Sequence, residues 1–141
     1  MLELLLVLNA IWFAMAFNVF AIRSRVFAKL VVPKEHRDTP VLDTLVMSGK
    51  FLGGFNLAFC LLNILLLLNI ELFDKDLQWA ILLCVNGVAH GTQFVFNVPV
   101  ALQNRKGKGV WQVKGVMGFI FVNDFLMMTF NTVLAAVYFL V

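Results

Sequence analysis

The side chains that could carry chemistry stand inside long apolar segments of the sequence. Asn86, His90, Gln93 and Asn97 recur at steps of four, three and four residues. At 3.6 residues per helical turn this spacing forms one stripe roughly 16 Å long. Asp124 is the only acidic residue in the interior of an apolar segment. Because a buried carboxyl or imidazole group normally faces a polar partner, we predict that Asp124 is hydrogen-bonded to His90.

Polar residues in two other segments have the same helical spacing. The second apolar segment contains a stripe of small and amide side chains, in which small residues would let a neighbouring backbone approach closely. The stripe consists of Gly49, Gly53, Asn56, Cys60 and Asn63. Asn131 follows Asp124 by seven residues and so shares its helical face. We predict one intramembrane polar network, in which Asn56, Asn86 and Gln93 complete the His90–Asp124 pair. Its candidate members are Asn56, Cys60, Asn86, His90, Gln93, Asn97, Asp124 and Asn131.

Two interpretations of these polar residues stay open. Amides across helix interfaces often serve only as packing glue, which contributes about 0.6 to 2 kcal/mol each. A carboxyl–imidazole pair can instead move a proton, which makes His90 and Asp124 the candidates for catalysis or proton relay. No metal site is predicted, because Cys60, His90 and Asp124 lack the spacing typical of metal ligands, and the sequence identifies no cofactor.

Composition indicates what kind of elements position these residues. Of the 141 residues, 62% are hydrophobic and 13% are charged, with a mean hydropathy of +0.92, whereas soluble proteins are about half apolar. A helix needs about 20 mostly apolar residues to cross a hydrocarbon core. The sequence therefore predicts a single all-α domain, an integral membrane four-helix bundle with short loops. The predicted spans are about 2–22, 45–69, 78–102 and 113–140.

The basic residues predict an orientation in the membrane. They concentrate in the first and last connections, whereas the middle connection is acidic apart from Lys75. Since Lys and Arg near span ends are retained in the cytoplasm, we expect cytoplasmic basic loops and both termini on the opposite side. This clustering beside apolar spans favours the lipid bilayer as partner over nucleic acid. The candidates for headgroup contact are Arg23, Arg25, Lys29, Arg105, Lys106 and Lys108.

The layout of the chain resembles a known group of small membrane proteins. An amphipathic segment from Arg23 to Val32, followed by Pro33 and Pro40, comes after the first span. A Gly53–Gly54 step stands early in the second span, and a basic turn joins the third to the fourth. This arrangement, along most of the chain, is similar to that of the DoxX-like group. The resemblance implies a four-helix membrane bundle but no activity, because a fold alone does not define a function.

Three classes of function follow from the sequence. The first is a non-enzymatic subunit or accessory protein of a membrane assembly or homo-oligomer, favoured by loops too short to form a soluble active site. The second is a binder or carrier of a small apolar or amphiphilic ligand such as a quinone or lipid. The third is an intramembrane enzyme or proton relay built on His90 and Asp124. We rank them in that order, which places a non-enzymatic role before catalysis.

Overall fold

The computed structural model describes residues 1–140, which form five α-helices joined by short connections. Four of the helices are long and apolar enough to cross a membrane, which agrees with the four predicted spans. The helices are α1 (Leu2–Phe17), α2 (Ser24–Val31), α3 (Pro40–Leu68), α4 (Asp76–Arg105) and α5 (Val116–Leu140). A π-helical turn, Asn18–Ile22, extends α1 at its C-terminal end.

The helix bounds differ from the predicted spans where local backbone chemistry overrides hydropathy. Pro40 begins α3 five residues before the predicted span, because its fixed φ suits the first position of a helix. At the start of α4, the Gln78 side-chain oxygen accepts a hydrogen bond from the Lys75 backbone N–H at 3.2 Å. Gly115 has a φ of 54°, a left-handed conformation that a helix does not contain. Helix α5 therefore begins at Val116, after the predicted start at about residue 113.

The four long helices run alternately up and down and pack as two close pairs, α1 with α3 and α4 with α5. The α1–α3 contact depends on glycine: a Cβ atom added to Gly53 would lie 2.5 Å from the Cβ of Ala21. One added to Gly49 would lie 3.2 Å from the Phe20 carbonyl oxygen. The predicted small-residue stripe of α3 therefore does receive a neighbouring backbone, that of the π-helical turn after α1.

The bundle has two chemically different ends. At one end lie the C-termini of α1 and α4 and the N-termini of α3 and α5, together with α2 and the Arg105–Lys108 loop; we call this the basic end. The opposite end, called the acidic end, holds the connection 69–75. Apolar core clusters fill the bundle towards the acidic end, where Leu6 packs with Leu66 and Trp79.

The amphipathic segment after the first span forms α2, packed against the start of α3. Its buried residues are Ser24 and Ala28, while Phe27 meets Phe20 edge to face with ring centroids 4.5 Å apart. Val26, an apolar residue of the same amphipathic segment, is exposed. Burial of small side chains rather than large ones lets α2 lie close against the bundle.

Candidate functional site

The candidate site is centred on His90 of α4 and Asp124 of α5, both with no exposed surface. Their Nδ1 and Oδ1 atoms lie 3.4 Å apart, so the two residues predicted to pair are in contact. The Trp12 indole N–H of α1 donates to the same Asp124 oxygen at 2.8 Å. The His90 ring stacks on Phe13, with centroids 4.5 Å apart and planes 19° from parallel. The imidazole therefore cannot turn without displacing an aromatic ring.

An amide pair lies directly against the other side of the imidazole. Asn9 and Asn131 donate to each other's side-chain oxygens, each at 2.9 Å. The Asn131 amide also donates to the Met127 carbonyl of its own helix at 2.8 Å. His90 Nε2 lies 3.1 Å from Asn9 Oδ1. Five side chains from α1, α4 and α5 thus form one network, in which four are fully buried and Trp12 is partly buried: Asn9, Trp12, His90, Asp124 and Asn131.

A second amide pair, Asn63 with Asn86, joins α3 to α4 one helical turn nearer the acidic end. The two exchange side-chain hydrogen bonds at 3.0 and 3.3 Å, and both residues are fully buried. Each amide also donates to the carbonyl four residues earlier in its own helix. The two amide pairs therefore provide hydrogen bonds between helices on both sides of the bundle.

Several predicted members of the network have other partners in the structure. Asn56 is buried, but its amide donates to the Leu52 carbonyl of its own helix at 2.8 Å. Cys60 is buried in α3 as a free thiol. Asn97 lies near the basic end and accepts the Trp111 indole N–H at 3.1 Å. Gln93 is half-buried beside a cavity of about 110 Å³. Only His90, Asp124 and Asn131 of the predicted set belong to the central network.

Comparisons with known proteins reveal no relative: no family model matches the chain, and neither a curated protein nor a solved structure matches it.

The α1 members of the network, Asn9 and Trp12, are absent from the sequence-based prediction. Asn9 is a lone amide in the middle of an apolar helix, so it forms no stripe of its own. Asn9 and Trp12 are three residues apart and so lie on one helical face. This spacing is the sequence feature from which both could have been predicted as members of the network. Tryptophan in such a helix ordinarily suggests an interface anchor, whereas Trp12 is a partly buried hydrogen-bond donor to Asp124.

One buried polar atom distinguishes this site from a fully satisfied packing network. Asp124 Oδ2 has no hydrogen-bond partner among the described residues, although buried polar atoms are normally paired. Within residues 1–140, no group of three or more His, Cys, Asp or Glu side chains comes together as a metal site would require. The chemistry available at the central network is therefore that of a carboxyl group and an imidazole in direct contact.

The predicted headgroup residues all lie at the basic end. Each of the six is exposed, and Arg25 forms an ion pair with Asp43 at 3.3 Å. Arg37, which is not in the predicted set, donates to the carbonyls of Val32 and Lys29 and closes the C-terminus of α2. This end therefore presents several cationic side chains on one surface.

Proposed function

We propose that this chain is a multi-pass membrane protein that acts as a subunit or accessory protein of a membrane assembly. On this proposal, a transmembrane helix of a partner subunit packs into the groove between α4 and α5. Membrane placement is supported by the four long helices, in which only 28% to 33% of the most apolar window of each is buried. The large apolar surface that remains would be costly in water and suits lipid or other membrane helices. The DoxX-like layout, which implies a membrane bundle, is consistent with this proposal.

The basic end faces the cytoplasm in this proposal, and the acidic end and both termini lie on the other side of the membrane. A membrane-impermeant maleimide applied to sealed inside-out vesicles should label a cysteine introduced by Lys108→Cys and leave one introduced by Lys75→Cys unlabelled. The unsubstituted protein is the control, because Cys60 and Cys84 lie within helices α3 and α4. The opposite labelling pattern would reverse the orientation.

The groove between α4 and α5 is the observation that carries the assembly role. Its main section encloses about 750 Å³ and continues along α4 into a second section. From Ala80 to Phe96 it follows α4 for roughly 24 Å at 1.5 Å per residue. This length approaches the roughly 30 Å thickness of a bilayer core. Larger apolar residues such as Ile81 and Val88 line the groove together with a set of small ones, namely Ala80, Cys84, Gly87, Ala89, Gly91, Ala135 and Ala136.

The lining chemistry favours a helix over an amphiphilic ligand. Small side chains let a second backbone come close, which is how helices associate in membranes. The groove has no charged or amide side chain among its lining residues, so it offers little to orient a polar head. Of its two threonines, Thr92 already donates its hydroxyl to the Ala89 carbonyl at 3.0 Å. An apolar helix that runs the length of the groove therefore matches its length and its apolar lining better than a compact ligand does.

The polar contacts inside the bundle support a structural role for the chain. Every long helix has at least one buried side chain bonded to another helix: Asn9 joins α1 to α5, and Asn63 joins α3 to α4. Such bonds hold a helix bundle together where lipid supplies no hydrophobic drive between helices. A rigid four-helix unit of this kind can present a fixed groove to a partner.

Filling the groove tests the proposal. Ala136 lines the groove and is exposed, and Ala58 is exposed on α3 outside the groove. Native mass spectrometry after extraction in mild detergent should find a partner polypeptide on the unsubstituted protein and on Ala58→Phe. Ala136→Phe should lose most of that partner, because a phenyl ring would occupy the space of the partner helix.

Each alternative outcome of this experiment has a distinct meaning. Retention of the partner by Ala136→Phe would contradict docking in the groove. A bound lipid or quinone displaced by Ala136→Phe, with no second polypeptide, would favour the ligand-binding class instead. A second copy of this chain, lost in the same variant, would identify the assembly as a homo-oligomer.

A further inference from the structure

The central network determines which nitrogen of His90 carries a hydrogen. The Asn131 amide nitrogen faces the Met127 carbonyl, an acceptor in the helix backbone, so the orientation of this side chain cannot be reversed without placing two acceptors together. Asn9, paired reciprocally with Asn131, is oriented in turn. Its oxygen therefore faces His90 Nε2 at 3.1 Å. Since a carbonyl oxygen only accepts, Nε2 must be an N–H donor.

The opposite nitrogen then requires a proton shared with Asp124. Nδ1 and Oδ1 lie 3.4 Å apart in a fully buried site. If neither atom carried a hydrogen, two lone pairs would face each other beside an uncompensated buried charge, which is strongly unfavourable. With one proton, the pair is either a carboxylic acid donating to imidazole or an imidazolium donating to carboxylate. Both forms have zero net charge.

We infer that His90 and Asp124 form a proton-binding site that holds one proton within the bundle and exchanges it through the cavity beside Trp12 and Gln93. The ligand of this site is a proton. The inference is independent of the docking groove, because it concerns only the interior of the bundle. It assigns a chemical role to the carboxyl oxygen Oδ2, which lacks a partner among the described residues and is free to accept a hydrogen bond from an incoming donor.

Few other titratable groups face this site. α1 contributes Asn9, Trp12 and Phe13, none of which titrates as an acid or base in this setting. The buried titratable residue of α3 is the Cys60 thiol, and α4 and α5 contribute only His90 and Asp124 to the buried set. The lysines and arginines lie outside that set. The charge balance of the site is therefore decided between the imidazole and the carboxyl group.

A cavity lies next to Trp12 on the side of the basic end, and Trp12 connects it to the pair, because neither His90 nor Asp124 is itself a lining residue. It has a volume of about 110 Å³, and its lining residues are apolar apart from the Trp12 indole and the Gln93 amide. Trp12 lines it and donates to Asp124, while Gln93 stands three residues after His90 on α4. The lining continues towards the basic end through Ala16 of α1, Phe20 of the π-helical turn and Val116 of α5. The π-helical turn at Asn18–Ile22 begins in the same region, and such turns are frequent at functional sites.

The exchange balances in protons and charge. In one form the carboxyl O–H donates to Nδ1; transfer of that proton to Nδ1 breaks the O–H bond, forms an N–H bond and leaves carboxylate beside imidazolium. A water molecule that reaches the carboxyl group can give one proton to Oδ2 and accept the proton that leaves Oδ1, so that it is again water after the exchange. The pair again holds one proton after each exchange, and Nε2 keeps its hydrogen throughout.

Nuclear magnetic resonance of the intact protein in detergent tests the proton count directly. The chain has two histidines, so His36→Gln, a change in an exposed loop, leaves His90 as the sole imidazole. Nitrogen-15 labelling of histidine then reports whether Nε2 and Nδ1 carry hydrogen. Asp124 precedes Phe125 in the only Asp–Phe pair of the sequence. Carbon-13 aspartate combined with nitrogen-15 phenylalanine therefore identifies the Asp124 carboxyl without altering the site.

The expected result at neutral pH is a protonated Nε2 and one further proton shared by Nδ1 and the carboxyl group. Free histidine in the same buffer serves as the reference. A bare Nε2 would overturn the inference. So would a pair that carries either no shared proton or two protons under these conditions.

A cavity-filling variant tests the exchange route. Ala16→Leu places a larger side chain in the cavity, whereas Ala14→Leu makes the same change at an exposed position of α1. Deuterium exchange at the His90 N–H groups should slow several-fold in Ala16→Leu and stay unchanged in Ala14→Leu. Equal exchange in both variants, with the proton count intact, would contradict access through this cavity.

Discussion

Replacement of His90 by alanine is expected to lower the free energy of unfolding by about 3 to 5 kcal/mol, the range for removing one partner of a buried ion pair. The change would leave the Asp124 carboxyl with the Trp12 indole as its remaining partner and would take a bonding group from Asn9. It would also remove the ring that stacks on Phe13. Unfolding in mixed micelles with increasing dodecyl sulfate, followed by tryptophan fluorescence, measures the loss.

The coupling of His90 to Asp124 is measured by a double-mutant cycle with Asp124→Asn. The losses of unfolding free energy in the two single variants should add up to about 1 to 3 kcal/mol more than the loss in the double variant. The reason is that each single change already removes the shared contact. His36→Ala, in the exposed connection before α3, is the control and should leave stability almost unchanged. Losses that simply add would show that the two side chains do not interact.

Replacement of Gly53 by alanine is expected to destabilise the bundle by about 1 to 3 kcal/mol, the usual range for overpacking. The new Cβ atom would lie 2.5 Å from the Cβ of Ala21 and 2.7 Å from its backbone nitrogen. Backbone atoms cannot move aside as a flexible side chain can, so α3 and the π-helical turn after α1 would have to separate. The same unfolding measurement in mixed micelles detects the change.

Gly54 provides a matched control for this substitution. It is the next residue in α3, yet a Cβ atom there would have no atom within 4 Å. Gly54→Ala should therefore stabilise the protein slightly, by up to about 1 kcal/mol, since alanine favours a helix more than glycine does. Equal effects at both positions would mean that the close approach of Ala21 to α3 does not limit packing in the native bundle.

The central network combines packing with chemistry. The reciprocal Asn9–Asn131 bonds tie α1 to α5 and at the same time orient the imidazole. The Phe13 ring limits rotation of that imidazole. Loss of the amide pair should therefore alter both stability and the protonation of His90, whereas Asn63 and Asn86, bonded to each other on the α3 side, should affect stability alone. Nitrogen-15 spectra of Asn131→Leu and Asn86→Leu would separate the two roles.

Helical periodicity was sufficient to predict much of the site on α4 and α5. His90 and Asp124 stood out because an ionisable side chain in an apolar helix needs a polar partner, and each is the ionisable residue in the interior of its own apolar segment. Periodicity also assigned Asn131 to the face of Asp124 and the α3 glycines to a close contact. These features depend on repeats within one helix, which a sequence contains in full.

Tertiary structure decided which polar residues bond to one another. Asn56 shares the stripe of Asn63, yet Asn56 donates to its own helix and Asn63 reaches Asn86. The lone Asn9 has no repeat to mark it and acquires its role only when α1 packs against α5. The sequence by itself determined four long apolar helices and the helical face that the polar groups of each helix share, because hydropathy and helical pitch are local properties. Helix rotation and side-chain orientation determined the network, because a hydrogen bond requires donor and acceptor atoms within about 3 Å in three dimensions.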